Sequence, residues 1–199
     1  MIISHHHKFI FIHIPRTGGV STQTALSSYY DAHPLAQVDP RYQGYHYHST
    51  LQEYQDSLKT YFKWTRVRNP WDRLVSIYNR RRSNSEFARD YKRAAEEAIH
   101  NSFDNWVDLQ IAQKSEWALN QRRYIKDQNI DFIARFESID KDFSFFCSKV
   151  GLPEIKLPHI NGHPHVCYKE YYHDKLIDKL LNCATFREDL NYLSYDHQP

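Results

Sequence analysis

The sequence predicts an α/β domain with a parallel sheet, and two observations carry that prediction. Short runs rich in β-formers occur at Lys8–Ile14, Tyr61–Val67 and Asp131–Arg135. Each is followed by a stretch with helical character, and strands that alternate with helices are joined most simply by crossovers over a parallel sheet.

Lys8–Ile14 (K-F-I-F-I-H-I) stops at Pro15 and reads as a buried strand. Val20–Tyr30 reads as a helix, so Pro15-Arg16-Thr17-Gly18-Gly19 joins the two. The Pro- and His-bearing stretch Asp31–Ser49 is expected to be loop, and Leu51–Leu58 a short helix. Tyr61–Val67 is a second strand, ended by Asn69-Pro70. Trp71–Arg82 is a helix with Leu74, Val75 and Tyr78 on one face. Polar helical stretches follow to about Tyr124, then a third strand at Asp131–Arg135. Asp140–Val150 is an amphipathic helix stopped by Gly151 and Pro153. Lys156–Val166 is loop, and Tyr168–Leu193 is helical with a break near Cys183.

The 199 residues, 41% apolar and 25% charged, fit a single domain spanning 1–199 with a real core. A formal net charge of +2 gives no reason to expect nucleic acid as a partner. The charge is unevenly spread, however. Lys63–Arg93 holds ten basic residues against Asp72, Glu86 and Asp90, a local net of +7. That suits an anionic ligand, although most of these arginines read as an ordinary solvated helix face. Cys147, Cys167 and Cys183 are widely separated and form no C-x-x-C pair, as expected of reduced thiols in a cytoplasmic protein. No apolar run reaches the length of a membrane span, and no signal region with a cleavage site precedes Phe9–Ile14. The three histidines at His5–His7 read as an exposed start.

The strongest chemical signal is the strand–loop–helix Phe9–Leu26. Adjacent glycines at 18 and 19 let backbone N–H groups approach an anion closely. Thr17, Ser21 and Thr22 offer hydroxyl donors, and Arg16 offers a fixed charged fork. The competing reading is a plain strand-to-helix turn. It is not the nucleoside-triphosphatase loop, because no Lys follows the second glycine. Nor does the second strand end in an Asp for Mg²⁺; it ends in Arg66-Val67-Arg68. Phosphate charge is therefore expected to be met by side chains, with no metal. Arg68 lies at a strand's carboxyl end, where ligands gather in such sheets, and it suits a phosphate monoester. Ser76, one to two turns into the next helix, can share that phosphate. Arg73 reads instead as a partner of Asp72 or another nearby acid.

Phe11-Ile12-His13-Ile14-Pro15-Arg16-Thr17-Gly18-Gly19-Val20-Ser21 and Val67–Tyr78 together resemble the 5′-phosphosulfate loop and the 3′-phosphate motif of sulfotransferases. These are enzymes that use 3′-phosphoadenylyl sulfate (PAPS). The resemblance is greatest to the carbohydrate branch of heparan sulfate 2-O-sulfotransferase-type enzymes. Weaker matches occur at Arg135-Phe136-Glu137, Leu157-Pro158-His159-Ile160-Asn161 and Asp189–Tyr195. The resemblance implies a P-loop-like three-layer fold with a central parallel sheet flanked by helices. It implies transfer of a sulfuryl group from PAPS to a hydroxyl of a small-molecule or glycan acceptor. By position, Arg16, Thr17, Gly18, Gly19, Ser21 and Thr22 would hold the 5′-phosphosulfate, and Arg68 and Ser76 the 3′-phosphate. Arg16 stands where the family has Lys, which keeps the charge but removes a proton donor.

Sulfuryl transfer to a hydroxyl needs a proton acceptor, and His is best matched to neutral pH. The resembling branch draws its base from a histidine pair in the interval between the two motifs. That points to Gly44-Tyr45-His46-Tyr47-His48, with His48 favoured and His46 as helper or substitute. The bland alternative is two exposed loop histidines. His13, inside the first strand, reads as a packed residue, and Arg135 as a structural residue with a weak claim to adenine. His159, His163, His165 and Cys167 fit no standard zinc spacing, so no metal is expected. Two rivals stay open: a metal-dependent nucleotide kinase, and a nucleotide-binding module without turnover.

Overall fold

The computed structural model describes residues 1–30, 58–83, 92–160 and 166–199. The chain divides into two compact units, one formed by Met1–Arg68 and Tyr124–Asn161, the other by Asn69–Arg123 and Gly162–Pro199.

The first unit is built on a four-stranded sheet in the order β1 (Ile2–Ser4), β2 (Phe9–Ile12), β3 (Phe62–Val67), β4 (Phe132–Arg135). The three strands expected from sequence run parallel, with Phe11 opposite Trp64 and Trp64 opposite Phe132. β1 adds an antiparallel edge that the sequence did not announce, placing Ile2 opposite Phe11. All four residues of β2 are buried, as the run of β-formers demands. The core follows from this: Phe9, Phe11 and Trp64 pack with Phe143 and Phe146, and the Phe146 ring stacks on Trp64 at 4.0 Å between centroids. Phe143 and Phe146 come from α6 (Ile139–Lys149), which ends at Gly151 with φ 71°.

The helix after the first loop, α1 (Gly19–Ala25), is shorter than the sequence suggested. Leu26 is fully buried, and Ser27-Ser28-Tyr29-Tyr30 then turn rather than continue, Tyr29 N donating to Leu26 O at 2.8 Å. Serines compete for backbone bonds and aromatics lose rotamer freedom, so the run supports a helix poorly.

The second unit is helical. α2 (Pro70–Arg82) starts with Pro at its first position and is capped by Asn69, whose Oδ1 accepts from Trp71 N at 3.0 Å. α3 (Lys92–Ile99), α4 (Phe103–Ala112), α5 (Glu116–Leu119), α7 (Asp174–Asn182) and α8 (Ala184–Leu193) complete it. Leu74, Val75 and Tyr78 are buried as expected, in a core with Trp71, Trp106, Leu180 and Phe186. The anticipated break falls at Cys183, between α7 and α8. No helix among the described residues is long and apolar enough to cross a membrane.

Candidate active site

The loop between β2 and α1 turns through two left-handed residues, Arg16 at φ 67° and Gly18 at φ 81°. Left-handed residues alternating with their neighbours turn successive backbone N–H groups toward one side, which makes a concavity suited to an anion. A positive φ at Arg16 is uncommon for a residue with a Cβ. The surroundings hold it: Thr17 Oγ1 donates to Ile14 O at 2.9 Å inside the turn, and Arg16 O accepts from Arg68 Nη1 at 3.3 Å.

The two glycines are needed for different reasons. Gly18 takes the left-handed conformation, and a Cβ there would also stand 3.0 Å from Ile139 Cδ1 and 3.3 Å from Arg66 Nη1. Gly19 has an ordinary φ, but a Cβ would lie 1.9 Å from His13 Cδ2. The His13 ring, buried and stacked on Phe11 with centroids 6.1 Å apart, forms the wall that Gly19 approaches.

Of the hydroxyls expected to face a ligand, two are engaged within the loop. Thr17 is fully buried with its hydroxyl bonded to Ile14 O, and Thr22 Oγ1 donates to Gly18 O at 3.3 Å. Ser21 Oγ accepts from Ile160 N at 3.2 Å and keeps its own proton to give. Arg68 is nearly buried, its guanidinium 4.2 Å from the centroid of the Phe136 ring.

Arg66 is the residue that sequence reasoning passed over. It is fully buried on β3, where Nη1 donates to Thr22 Oγ1 at 2.7 Å and reaches Gly18 O at 3.5 Å. Nε and Nη2 are buried and, among the described residues, have no hydrogen-bond partner. Burial pushes its pKa down to about 10, against the opposing pull of Asp142 and Asp140, so it stays charged at neutral pH. The signal was legible as a charge inside the strand run Phe62–Val67. The reading stopped at Arg68 because that residue ends the strand.

The structure thus brings Arg16, Thr17, Gly18, Gly19, Ser21, Thr22 and Arg68 together in the first unit. Ser76 is nearly buried on α2 in the second unit. His46 and His48 lie outside the described residues, as do His163 and His165. Arg135 is tied into the first unit by its backbone, whose N–H donates to Asp142 Oδ2 at 2.6 Å. Among the described residues, no three His, Cys, Asp or Glu groups are placed to hold a metal ion.

The basic stretch also resolves. Arg73 is buried and donates to Ala118 O and Trp117 O at 2.9 and 2.8 Å, with Asp189 as its acid neighbour. Arg81 lies 4.6 Å from the Trp117 centroid, and Arg82 Nη1 donates to Tyr78 Oη at 2.7 Å. Much of the local positive charge therefore belongs to packing within the second unit.

A family model described as the sulfotransferase family matches residues 1–195. Comparison with curated proteins and with solved structures gives no significant match.

Proposed function

Because the chain belongs to the sulfotransferase family, whose fold is P-loop-like, we propose that it transfers a sulfuryl group from PAPS to an acceptor hydroxyl, as one domain spanning 1–199. The observation that carries this reading is the loop at Arg16–Gly19. Its left-handed backbone, its Cβ-free face at Gly18 and Gly19 and the cations Arg16, Arg66 and Arg68 fit an anionic donor. PAPS, when bound, supplies the sulfuryl group on a phosphate that leaves readily.

The loop residues Arg16, Thr17, Gly18 and Gly19, with Ser21 and Thr22 at the start of α1, bind the 5′-phosphosulfate. Arg16 neutralises negative charge on the departing phosphate without giving up a proton, since arginine stays protonated. Arg68 and Ser76 recognise the 3′-phosphate, the feature that separates this donor from ATP. His48 takes the proton of the acceptor hydroxyl, with His46 as its helper or substitute. Positioning and fixed charge carry most of the rate, as in phosphoryl transfer. The acceptor class is a carbohydrate hydroxyl, on the strength of the sequence resemblance. Cys147, Cys167 and Cys183 are all free thiols, which supports a cytoplasmic setting.

A second reading, a nucleotide-binding module without turnover, is favoured by Arg16 standing where the family has Lys. Calorimetry with 3′-phosphoadenosine 5′-phosphate, ADP and ATP, with and without Mg²⁺, tests the donor. Metal-independent preference for the bisphosphate supports the sulfotransferase, and preference for ATP with Mg²⁺ overturns it. Transfer from labelled PAPS to a panel of sugars, by the native protein and His48→Ala, then separates enzyme from module. The enzyme loses turnover and keeps nucleotide binding; a module has no turnover to lose.

A further inference from the structure

A buried guanidinium normally has its donors matched by acceptors or its charge matched by a carboxylate. Arg66 has neither in full. It is 0% exposed, yet among the described residues Nε and Nη2 have no hydrogen-bond partner. Among the described residues no carboxylate is within ion-pair distance of it. Asp142 and Asp140 act on it only through space, and Asp142 Oδ2 already accepts from Arg135 N at 2.6 Å and from Ser138 Oγ at 2.9 Å. Among the described residues, the hydrogen bonds Arg66 makes run to the anion loop, to Thr22 Oγ1 at 2.7 Å and Gly18 O at 3.5 Å, and its guanidinium lies 5.7 Å from the Trp64 ring centroid. Its Nη1 would be 3.3 Å from a Cβ on Gly18, so the guanidinium lies directly behind the loop backbone.

Leaving a buried charge this poorly compensated costs folding free energy, and a side chain of similar size without charge removes that cost. Such a feature is retained where a site gains from it. We propose that Arg66 is a positioning residue of the phosphosulfate loop: its Nη1 fixes Thr22 and the Gly18 carbonyl, and its positive charge holds the 5′-phosphate end of the nucleotide from behind. Being shut off from solvent, it does not touch the ligand. Its field reaches the loop with little screening by salt, because water and ions do not come between them. Its pKa of about 10 keeps that charge in place at neutral pH.

This inference rests on the reading that the loop holds the 5′ end of PAPS, and its test is built to fail separately from that reading. Arg66→Met and Arg66→Lys are compared with the native protein and with Arg93→Met, which removes the same charge from an exposed site. Thermal melting of the ligand-free proteins is measured alongside calorimetric binding of two probes, 3′-phosphoadenosine 5′-phosphate and adenosine 3′-phosphate. Arg66→Met is expected to melt no lower than the native protein. It should weaken bisphosphate binding by about tenfold or more, leaving adenosine 3′-phosphate binding within about twofold. Arg66→Lys should recover much of the loss, and Arg93→Met should change neither probe. An unchanged bisphosphate affinity in Arg66→Met overturns the inference, as does an equal loss for both probes. Should Arg66→Met melt far lower, the residue is structural and the proposal falls, with Arg66→Lys melting normally as confirmation. Failure of the native protein to bind the bisphosphate instead removes the reading on which the inference rests.

Discussion

Gly19 and His13 are fitted against each other: a Cβ on Gly19 would fall 1.9 Å from His13 Cδ2 and 2.0 Å from Nε2. Contact that close cannot be relieved by a small adjustment, because the His13 ring is buried and stacked on Phe11. Gly19→Ala therefore forces either the ring or the start of α1 out of place. Overpacking of this kind costs about 1–3 kcal/mol, and here the cost falls on the anion loop. Gly19→Ala is expected to lose bisphosphate binding in calorimetry, and His13→Ala in the same chain to restore part of it. Native-like binding by Gly19→Ala alone would sink the argument.

Gly18→Ala should behave differently. Its Cβ would meet Ile139 Cδ1 at 3.0 Å, the end of a flexible side chain, so the main penalty is the left-handed backbone at φ 81°. That penalty is about 1–2 kcal/mol. The expected result is a modest fall in melting temperature with weakened but measurable binding. A Gly18→Ala protein more impaired than Gly19→Ala would reverse the assignment of the two roles.

Arg68 is held by two contacts that have nothing to do with a ligand: its Nη1 donates to Arg16 O at 3.3 Å, and its guanidinium lies 4.2 Å from the Phe136 centroid. Phe136 belongs to the weak motif Arg135-Phe136-Glu137, and this packing gives that motif a physical reason. Removing the ring sacrifices a cation–π contact of about 0.5–2 kcal/mol and frees the fork to wander. Phe136→Leu should raise the Kd for 3′-phosphoadenosine 5′-phosphate several-fold and leave the Kd for ADP unmoved. Equal losses for the two nucleotides would mean that Arg68 does not read the 3′-phosphate.

The sequence was most legible where one local rule decided the outcome. The run F-I-F-I is buried on β2, Asn69-Pro70 starts α2, and Gly151 ends α6, each as its chemistry requires. It was least legible where distant residues decide. β1 exists because Ile2 and Ile3 find Phe11 and Ile10 to pair with, which no local pattern in three residues can announce. Which partners the Thr17 and Thr22 hydroxyls take within the loop cannot be read from spacing. In the fold their hydroxyls bond to Ile14 O and Gly18 O. Arg66 escaped for the same reason: only the tertiary structure shows that a strand arginine has Thr22 in front of it and, among the described residues, two donors without a hydrogen-bond partner.

Arg73 anchors the second unit through carbonyls. It is buried, and its two bonds satisfy Ala118 O and Trp117 O. Arg73→Met strands both carbonyls and takes a cation from the neighbourhood of Asp189. The expected loss is about 2–4 kcal/mol of unfolding free energy in urea. A loss under about 0.5 kcal/mol, the range of a surface change, would contradict a buried anchoring role.

Asp189 gives that region a pH dependence whose sign can be worked out. Its carboxylate accepts from Gln121 N at 2.9 Å, Arg122 N at 2.7 Å and Gln121 Nε2 at 3.3 Å, pinning the chain before Tyr124. Burial nevertheless pushes its pKa up, outweighing those bonds and Arg73. A carboxyl with a raised pKa binds a proton more readily folded than unfolded. Its contribution to stability is therefore most favourable at acid pH and falls as pH rises from the ordinary carboxylate range through the raised value. Asp189→Asn removes the titration but leaves an amide oxygen to accept from both backbone N–H groups. Urea unfolding of the two proteins at a series of pH values isolates the effect, since every other carboxylate cancels in the difference. The native protein should lose stability relative to Asp189→Asn as pH is raised, then run parallel to it. A difference that grows in the native protein's favour with rising pH would mean that the hydrogen bonds and Arg73 outweigh burial, and that Asp189 is a stabilising anion.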